Sequence, residues 1–136
     1  MKLRILQVKV PNDVETAFQT ASKEKPDAVL FRVAGPLEAA QRPQIAAFAF
    51  KYRLPTMYDS AQNVEAGGLV SYGVSVIDLA RRAATYVDKI LKGRKPADLP
   101  VEQPVKFDLV FNLLAAKQIG LTIPPNVLVR ADRVIR

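Results

Sequence analysis

The sequence predicts an α/β fold, a three-layer sandwich in which helices cover a mainly parallel sheet. Apolar runs of strand length alternate along the chain with segments of helical periodicity, as expected when each strand is followed by a helix that packs on the sheet. One run, residues 28–33, is almost continuously apolar, which is typical of a parallel strand covered on both faces. Strands are predicted over residues 3–10, 28–33, 55–58, 69–72 and 107–112.

The most strongly indicated helix lies over residues 75–92. Ser75 with Asp78 three residues later has the form of a capping box, and Gly93 stands where a helix commonly ends. The apolar residues between them recur at helical spacing, which predicts a single apolar stripe. This stripe consists of Ile77, Ala80, Ala84, Val87 and Leu91.

Other helices are shorter or less regular. Asn12 is a candidate N-cap for a helix that runs to about Lys23. A second helix is expected over residues 37–52 with a break at Pro43, because proline removes a helical hydrogen bond and clashes with the preceding turn. Further helical segments are predicted over residues 61–66, 114–118 and 126–135.

Composition limits the chemistry of this chain of 136 residues, a length typical of one domain. It contains neither cysteine nor histidine, which excludes disulfides, thiolate nucleophiles, Cys/His zinc sites and histidine-based catalysis. No apolar run approaches the ~20 residues that span a bilayer, so no membrane insertion is expected. Residues 1–10 alternate charges with apolar side chains, unlike a secretory signal, and predict a cytoplasmic location for the chain as written.

The charge of the chain is a weak indication of nucleic-acid binding. The formal net charge is +7, but the 20 Lys and Arg residues are spread over the whole length. The densest basic cluster lies at the C-terminus of the predicted 75–92 helix, where cations complement the helix dipole. Residues 115–134 partly fit a helix-turn-helix, yet the turn with Pro124 and Pro125 exceeds the usual 3–4 residues. We therefore expect no nucleic-acid partner.

A candidate ligand site lies at the carboxyl ends of the predicted strands, where open α/β sheets bind ligands. Tyrosines there are suited to stacking on a ligand ring, and serines and free backbone N–H groups to holding a carboxylate. An equally weighted alternative is that each tyrosine is a half-buried rim residue with a satisfied hydroxyl. The candidate residues are Gly35, Pro36, Tyr58, Ser60, Ser71 and Tyr72.

Two other patterns near this site have ordinary interpretations. Gly67 and Gly68 lack the residues that follow in a phosphate-binding loop, so they are interpreted as a plain turn. Asp59 and Glu65 are interpreted as solvated carboxylates, since nothing in the sequence places them together as an acid–base pair. No metal site is predicted.

An ordered series of segments gives this chain a family resemblance. It includes Leu-Pro-Thr-Met-Tyr-Asp-Ser over residues 54–60 and Glu-Ala-Gly-Gly-Leu-Val-Ser-Tyr-Gly over residues 65–73. Residues 78–93, 95–104, 106–112 and 120–125 continue the series. The chain resembles the C-terminal part of the substrate-binding proteins of ABC transporters, in the branch with a type I periplasmic-binding fold.

The resemblance implies a Rossmann-like lobe with a tail. Residues 1–72 resemble the second lobe of such a protein, and residues 73–136 resemble the helix that recrosses the hinge and the C-terminal tail. It also implies a non-enzymatic protein that binds a small, amino-acid-like ligand without cofactor or catalytic residues. Full-length members of the family are periplasmic or extracellular and present the ligand to an ABC permease.

The first lobe and the export signal of that family are missing from the sequence, so we expect a truncated form. One lobe offers a single wall of the ligand cleft, which predicts weak binding. The stripe on the 75–92 helix loses its cover, which predicts a homodimer through Ile77, Ala84, Val87 and Leu91. The alternative function is an orphan α/β lobe that acts as a structural or regulatory oligomer without a small ligand.

Overall fold

The computed structural model describes residues 2–32 and 36–136, with only the backbone of residues 36–38. The strands are β1 (Val29–Phe31), β2 (Thr56–Tyr58), β3 (Val70–Val74), β4 (Phe107–Asn112) and β5 (Arg133–Ile135). The α-helices are α1 (Asp13–Glu24), α2 (Pro36–Lys51), α3 (Ala61–Glu65), α4 (Val76–Leu91), α5 (Leu113–Ile119) and α6 (Pro125–Leu128).

The strands form one five-stranded sheet in the order β1-β2-β3-β4-β5. Neighbouring strands are parallel except for β3 and β4, which are antiparallel. This arrangement confirms the predicted α/β class with a mainly parallel sheet. The predicted strands at 28–33, 55–58, 69–72 and 107–112 correspond to β1 to β4, although residues 33–35 lie outside the described chain.

The main hydrophobic core lies between the first two helices and the first two strands. Phe18 of α1 and Ile45 of α2 are buried against Phe31 of β1 and Tyr58 of β2. The rings of Phe18 and Phe31 stack with their centroids 6.1 Å apart. Leu30, on the opposite face of β1, is 60% exposed, so at this edge the helices cover one face of the sheet.

Asn112 connects the second half of the sheet to two helices. It is buried at the end of β4, and its Oδ1 accepts a hydrogen bond of 3.0 Å from the backbone N–H of Ala115, which caps α5. Its Nδ2 donates to the Val64 carbonyl of α3 over 3.2 Å. One side chain thus fixes α3 and α5 on the same strand.

The predicted strand over residues 3–10 is wrong, because the structure has no strand there. Leu6 and Val8 pack against the main core, while Leu3 and Ile5 are exposed. The Asp13 carboxylate accepts hydrogen bonds from the backbone N–H groups of Lys9 and Val10, which turns this segment into α1. Alternating hydrophobicity predicts one buried side for a segment, but a strand also needs a neighbouring strand to bond.

The predicted break at Pro43 is also wrong, because α2 continues through it from Pro36 to Lys51. A proline inside a helix removes one hydrogen bond and clashes with the preceding turn, at a cost of about 3 kcal/mol. Ile45 and Ala49, on the following turns, are deeply buried in the main core. Their burial therefore outweighs the local cost of Pro43 inside the helix.

The last helix predicted over residues 126–135 is limited to α6, and the chain then forms β5. The reason is a tertiary contact at Asp132. Its backbone N–H donates to the Leu109 carbonyl over 2.9 Å, and its Oδ2 accepts from the Leu109 N–H over 2.7 Å. These bonds hold the last residues beside β4, where Val134 pairs with Phe111.

The predicted helix over residues 75–92 is confirmed as α4, and none of its residues is buried. The segment that follows α4 lies along its polar side. There the Tyr86 hydroxyl donates to the Pro100 carbonyl over 2.6 Å, and Arg82 pairs with Glu102 at 2.9 Å. The apolar stripe therefore remains uncovered in this chain, and Ile77, Val87 and Leu91 are exposed.

Within residues 2–32 and 36–136, no helix is both long enough and apolar enough to cross a bilayer.

Candidate functional site

A groove of about 570 Å³ lies at the carboxyl ends of β2 and β3. This is the position at which open α/β sheets bind ligands, and the volume is typical of small-molecule sites. Its walls come from the turn after β2, the start of α3, the end of β3, the start of α4 and the beginnings of β4 and β5.

A close backbone approach forms the floor of the groove. Gly73 near the end of β3 lies so close to Asp59, in the turn after β2, that a Cβ atom on Gly73 would overlap the Asp59 carbonyl. Gly73 also pairs with Asp108 of β4 in the antiparallel register. Glycine at this position therefore allows the turn after β2 to lie close to one side of β3 while the first residues of β4 pair with the other side.

Charged side chains of both signs line the groove, and several of them are already paired. Arg133 bonds Glu65 at 2.5 Å, and Asp78 bonds Arg82 of the next helical turn at 3.0 Å. Asp132 accepts the Leu109 N–H. The remaining charged residues of the lining are Asp59, Asp108, Arg81 and Lys106.

Of the residues predicted for the site, Ser60 lines the groove. Its hydroxyl accepts a long hydrogen bond of 3.4 Å from the backbone N–H of Gln62 and so caps α3. Gly35 lies outside the described residues. Pro36 begins α2, but its side chain is among those not described.

Tyr58 and Ser71 lie side by side beneath the groove and outside its lining. They pair in the register of β2 and β3, and both are buried. Burial raises the pKa of the Tyr58 hydroxyl above its ordinary value, and the neighbouring Thr56 hydroxyl opposes this shift only in part. The Ser71 hydroxyl has no hydrogen-bond partner in the described part of the chain.

Tyr72 lies on the other face of the sheet, because successive side chains of a strand alternate between faces. It is half exposed and stacks on Phe107 of β4, with the ring centroids 5.6 Å apart. The structure thus does not bring Tyr72 together with Ser60, Ser71 or Tyr58 around one ligand position.

Sequence reasoning missed the groove residues that come from β4 and the start of α4. Ser75 reaches the groove because it directly follows β3. Lys106 and Asp108 reach it because β4 runs antiparallel to β3, which brings the start of β4 to the carboxyl end of β3. The signal available in the sequence was the capping-box form of Ser75, which located a helix start directly after a strand. No group of three or more metal-ligating side chains lies together among the described residues.

The structure is an α/β lobe with a groove at the carboxyl ends of two parallel strands, and comparison with known proteins specifies the family. Residues 1–135 match the family described as ABC transporter substrate binding protein. The chain belongs to that family, as the sequence resemblance predicted. No curated protein sequence matches the chain significantly.

Solved structures with similar folds agree with this family. A conserved domain protein from Vibrio cholerae is 30% identical with a TM-score of 0.80, and the alignment covers 95% of this chain and 43% of that one. An ABC domain from Streptococcus pneumonia in complex with L-Trp is 28% identical with a TM-score of 0.82, covering 97% and 44%.

A third structure, a ligand-free, open substrate-binding protein with adhesive properties from Clostridium difficile, shows the same fold. It is 21% identical with a TM-score of 0.68, and the alignment covers 95% of this chain and 42% of that one. This chain therefore spans less than half the length of each of these three solved structures.

Proposed function

We propose that this chain is the C-terminal part of an ABC transporter substrate-binding protein and forms one wall of its ligand cleft. In this proposal residues 1–72 belong to the second lobe, and residues 73–136 supply the helix that recrosses the hinge and the C-terminal tail. The ligand is a small, amino-acid-like molecule, and the full-length protein presents it to an ABC permease outside the cytoplasm.

The observation that supports this proposal most is the groove itself. It lies at the carboxyl ends of β2 and β3 and offers unpaired charged groups of both signs, Asp59 and Asp108 on one hand and Arg81 and Lys106 on the other. An amino acid carries one charge of each sign and complements such a lining. The L-Trp complex of the similar pneumococcal domain gives the amino-acid class further support.

The groove supports binding without catalysis. The chain has no cysteine or histidine, and Tyr58, whose pKa is raised by burial, lies beneath the groove instead of lining it. Enzymes of acid–base chemistry place groups with shifted pKa values within hydrogen-bond reach of the substrate. The groove residues therefore serve to hold a ligand, with no cofactor required.

Calorimetry of the purified chain with a panel of amino acids, beginning with L-tryptophan, tests the proposal. A single wall buries only part of a ligand, so we expect dissociation constants no better than roughly millimolar, about −4 kcal/mol. Micromolar binding by the monomer would contradict the proposal that the chain forms only one wall of the ligand cleft. Absence of binding to every member of the panel at tens of millimolar would contradict the amino-acid class.

A second candidate function is favoured by the uncovered stripe on α4. Ile77, Val87 and Leu91 are exposed along one side of a helix that buries none of its own residues. Exposed apolar patches of this kind commonly mark an interaction surface. In this alternative the chain is a structural or regulatory homodimer that pairs through this stripe and binds no small ligand.

A further inference from the structure

We propose that the N-terminus of α4 is the subsite for the ligand's carboxylate, with Ser75 as its specific hydrogen-bond donor. This inference rests on the proposed function and adds the orientation of the ligand in the groove. It assigns the negative end of an amino-acid-like molecule to the junction of β3 and α4, and it is independent of the chemistry of the ligand's side chain.

The first element of the subsite is the free end of a long helix. The first intrahelical bond of α4 runs from the Leu79 N–H to the Ser75 carbonyl over 3.1 Å. The N–H groups of Val76, Ile77 and Asp78 precede it and have no helical acceptors, as at every helix start. All three residues line the groove. Together with the positive end of the helix dipole, these donors favour an anion.

The second element is the unusual state of Ser75. A serine at this position normally uses its hydroxyl to cap the helix, but the Ser75 hydroxyl makes no capping bond. The residue is only 4% exposed and forms part of the groove wall. No other partner for this hydroxyl lies within residues 2–32 and 36–136. The hydroxyl of a buried residue that faces a groove without a protein partner is available for a ligand oxygen.

Ser75 is also held rigidly in place. Its N–H donates to the Lys106 carbonyl over 3.0 Å, so the end of β3 remains bonded to the start of β4. Preorganised donors bind an anion with less loss of conformational entropy than mobile ones. The Ser75 hydroxyl and the three N–H groups of the first turn therefore form a fixed set of donors.

The charges around the helix start favour an anion at this end of the groove. Lys106 and Arg81 belong to the lining, and neither makes an ion pair with the described residues, whereas Arg82 and Arg133 are engaged with carboxylates. The nearest acid, Asp78, is neutralised by Arg82 at 3.0 Å. The unpaired Asp59 and Asp108 lie at the Gly73 floor, where they suit the ammonium group of the same ligand.

Nuclear magnetic resonance of the ¹⁵N-labelled chain tests the subsite. The probes are L-tryptophan, L-tryptophanamide, which lacks the carboxylate, and sodium acetate, all compared with sodium chloride at equal ionic strength. We expect L-tryptophan and acetate to shift the amide resonances of Val76, Ile77 and Asp78. We expect tryptophanamide to bind roughly tenfold more weakly and to leave these resonances in place.

A substitution separates Ser75 from the rest of the helix start. Ser75→Ala is expected to weaken L-tryptophan binding roughly tenfold without lowering the melting temperature, because the hydroxyl has no partner in the fold to lose. Thr85→Ala, in the middle of α4, removes a hydroxyl of the same helix that bonds only the Arg81 carbonyl, and it should leave binding unchanged.

The outcomes distinguish this subsite from the proposed function. If L-tryptophan and its amide bind equally and the resonances of Val76 to Asp78 stay in place, the inference is wrong while amino-acid binding stands. If no amino acid binds but acetate shifts these resonances, the anion subsite stands and the proposed ligand class fails. If neither acetate nor L-tryptophan shifts them, the subsite is wrong.

Discussion

Gly73 and Asp59 approach so closely that no side chain fits between the end of β3 and the turn after β2. A Cβ atom on Gly73 would overlap the carbonyl of Asp59. The contact joins two neighbouring parallel strands at the edge where the groove lies. The contact is possible only because Gly73 carries a hydrogen atom where alanine carries a methyl group. Substitution by alanine therefore tests its importance directly.

Gly73→Ala is expected to lower the free energy of unfolding by about 3 kcal/mol, the upper part of the range for overpacked sites, because rigid backbone must move. Urea denaturation measures it. The matched control is Gly93→Ala, where nothing lies within 4 Å and only the positive φ of 94° is strained, at about 1 kcal/mol. Equal losses in the two variants would show that the Asp59 contact is unimportant.

Because the Tyr58 hydroxyl is buried, we expect the chain to lose stability at alkaline pH. Burial holds its pKa above the ordinary value of 10.0 in the folded chain, whereas the unfolded chain has the ordinary value. Between the two pKa values the unfolded state releases the proton and the folded state keeps it. The free energy of unfolding is therefore unaffected below the pKa of Tyr58 in the unfolded chain. Above that pKa it falls as pH rises, by about 1.4 kcal/mol per pH unit.

The measurement is the free energy of unfolding of the wild type and of Tyr58→Phe from about pH 8 to about pH 11. The phenylalanine variant cannot ionise, so the wild type should lose stability relative to it as pH rises. Tyr72→Phe is the matched control for the loss of a tyrosine hydroxyl at a half-exposed position. A slope in Tyr58→Phe equal to that of the wild type would contradict the prediction.

Substitution of Tyr72 distinguishes a ligand bound in the groove from one bound against the Tyr72–Phe107 ring pair. Because it stacks on Phe107 away from the groove, Tyr72→Ala should cost about 1 kcal/mol of stability through the lost ring contact. L-tryptophan binding should remain within about twofold of the wild type, since the residue lies outside the groove lining. Phe107→Ala is the matched variant for the same ring pair. Abolished binding in either variant would place the ligand against this aromatic pair instead.

The uncovered stripe of α4 predicts self-association. Burying several hundred Å² of apolar surface per chain at ~25 cal/mol per Å² exceeds typical association costs, so we expect a two-fold homodimer at micromolar concentration. Light scattering after size-exclusion chromatography should give roughly 30 kDa, twice the 15.0 kDa of one chain. A species of 15.0 kDa would contradict the prediction.

Substitutions on α4 locate the contact. Val87→Asp with Leu91→Asp should yield a folded monomer, because both side chains are exposed and contribute little to the core. The control, Thr85→Asp, adds a negative charge at another exposed position of the helix and should remain dimeric. Circular dichroism verifies that each variant keeps its helix content. A dimer that persists in the double variant would place the interface elsewhere.

The sequence by itself determined the α/β class, four strands and the long helix. Strands β1 to β4 and α4 are strongly apolar or strongly periodic segments, and their local pattern agrees with the burial that the fold requires. The family resemblance also followed from the sequence, because it rests on an ordered series of short segments such as residues 54–60 and 65–73. These features depend on neighbours in the chain, so they are readable without coordinates.

The tertiary structure alone decided the secondary structure at both ends of the chain and which residues line the groove. Residues 3–10 have the alternation of a strand but no strand to bond, while the Asp132–Leu109 hydrogen bonds convert the end of a predicted helix into β5. The antiparallel register of β4 brings Lys106 and Asp108 across to Gly73, and the pleat of β3 separates Ser71 from Tyr72. Such pairings are set by contacts between distant segments, and no local pattern of residue types specifies them.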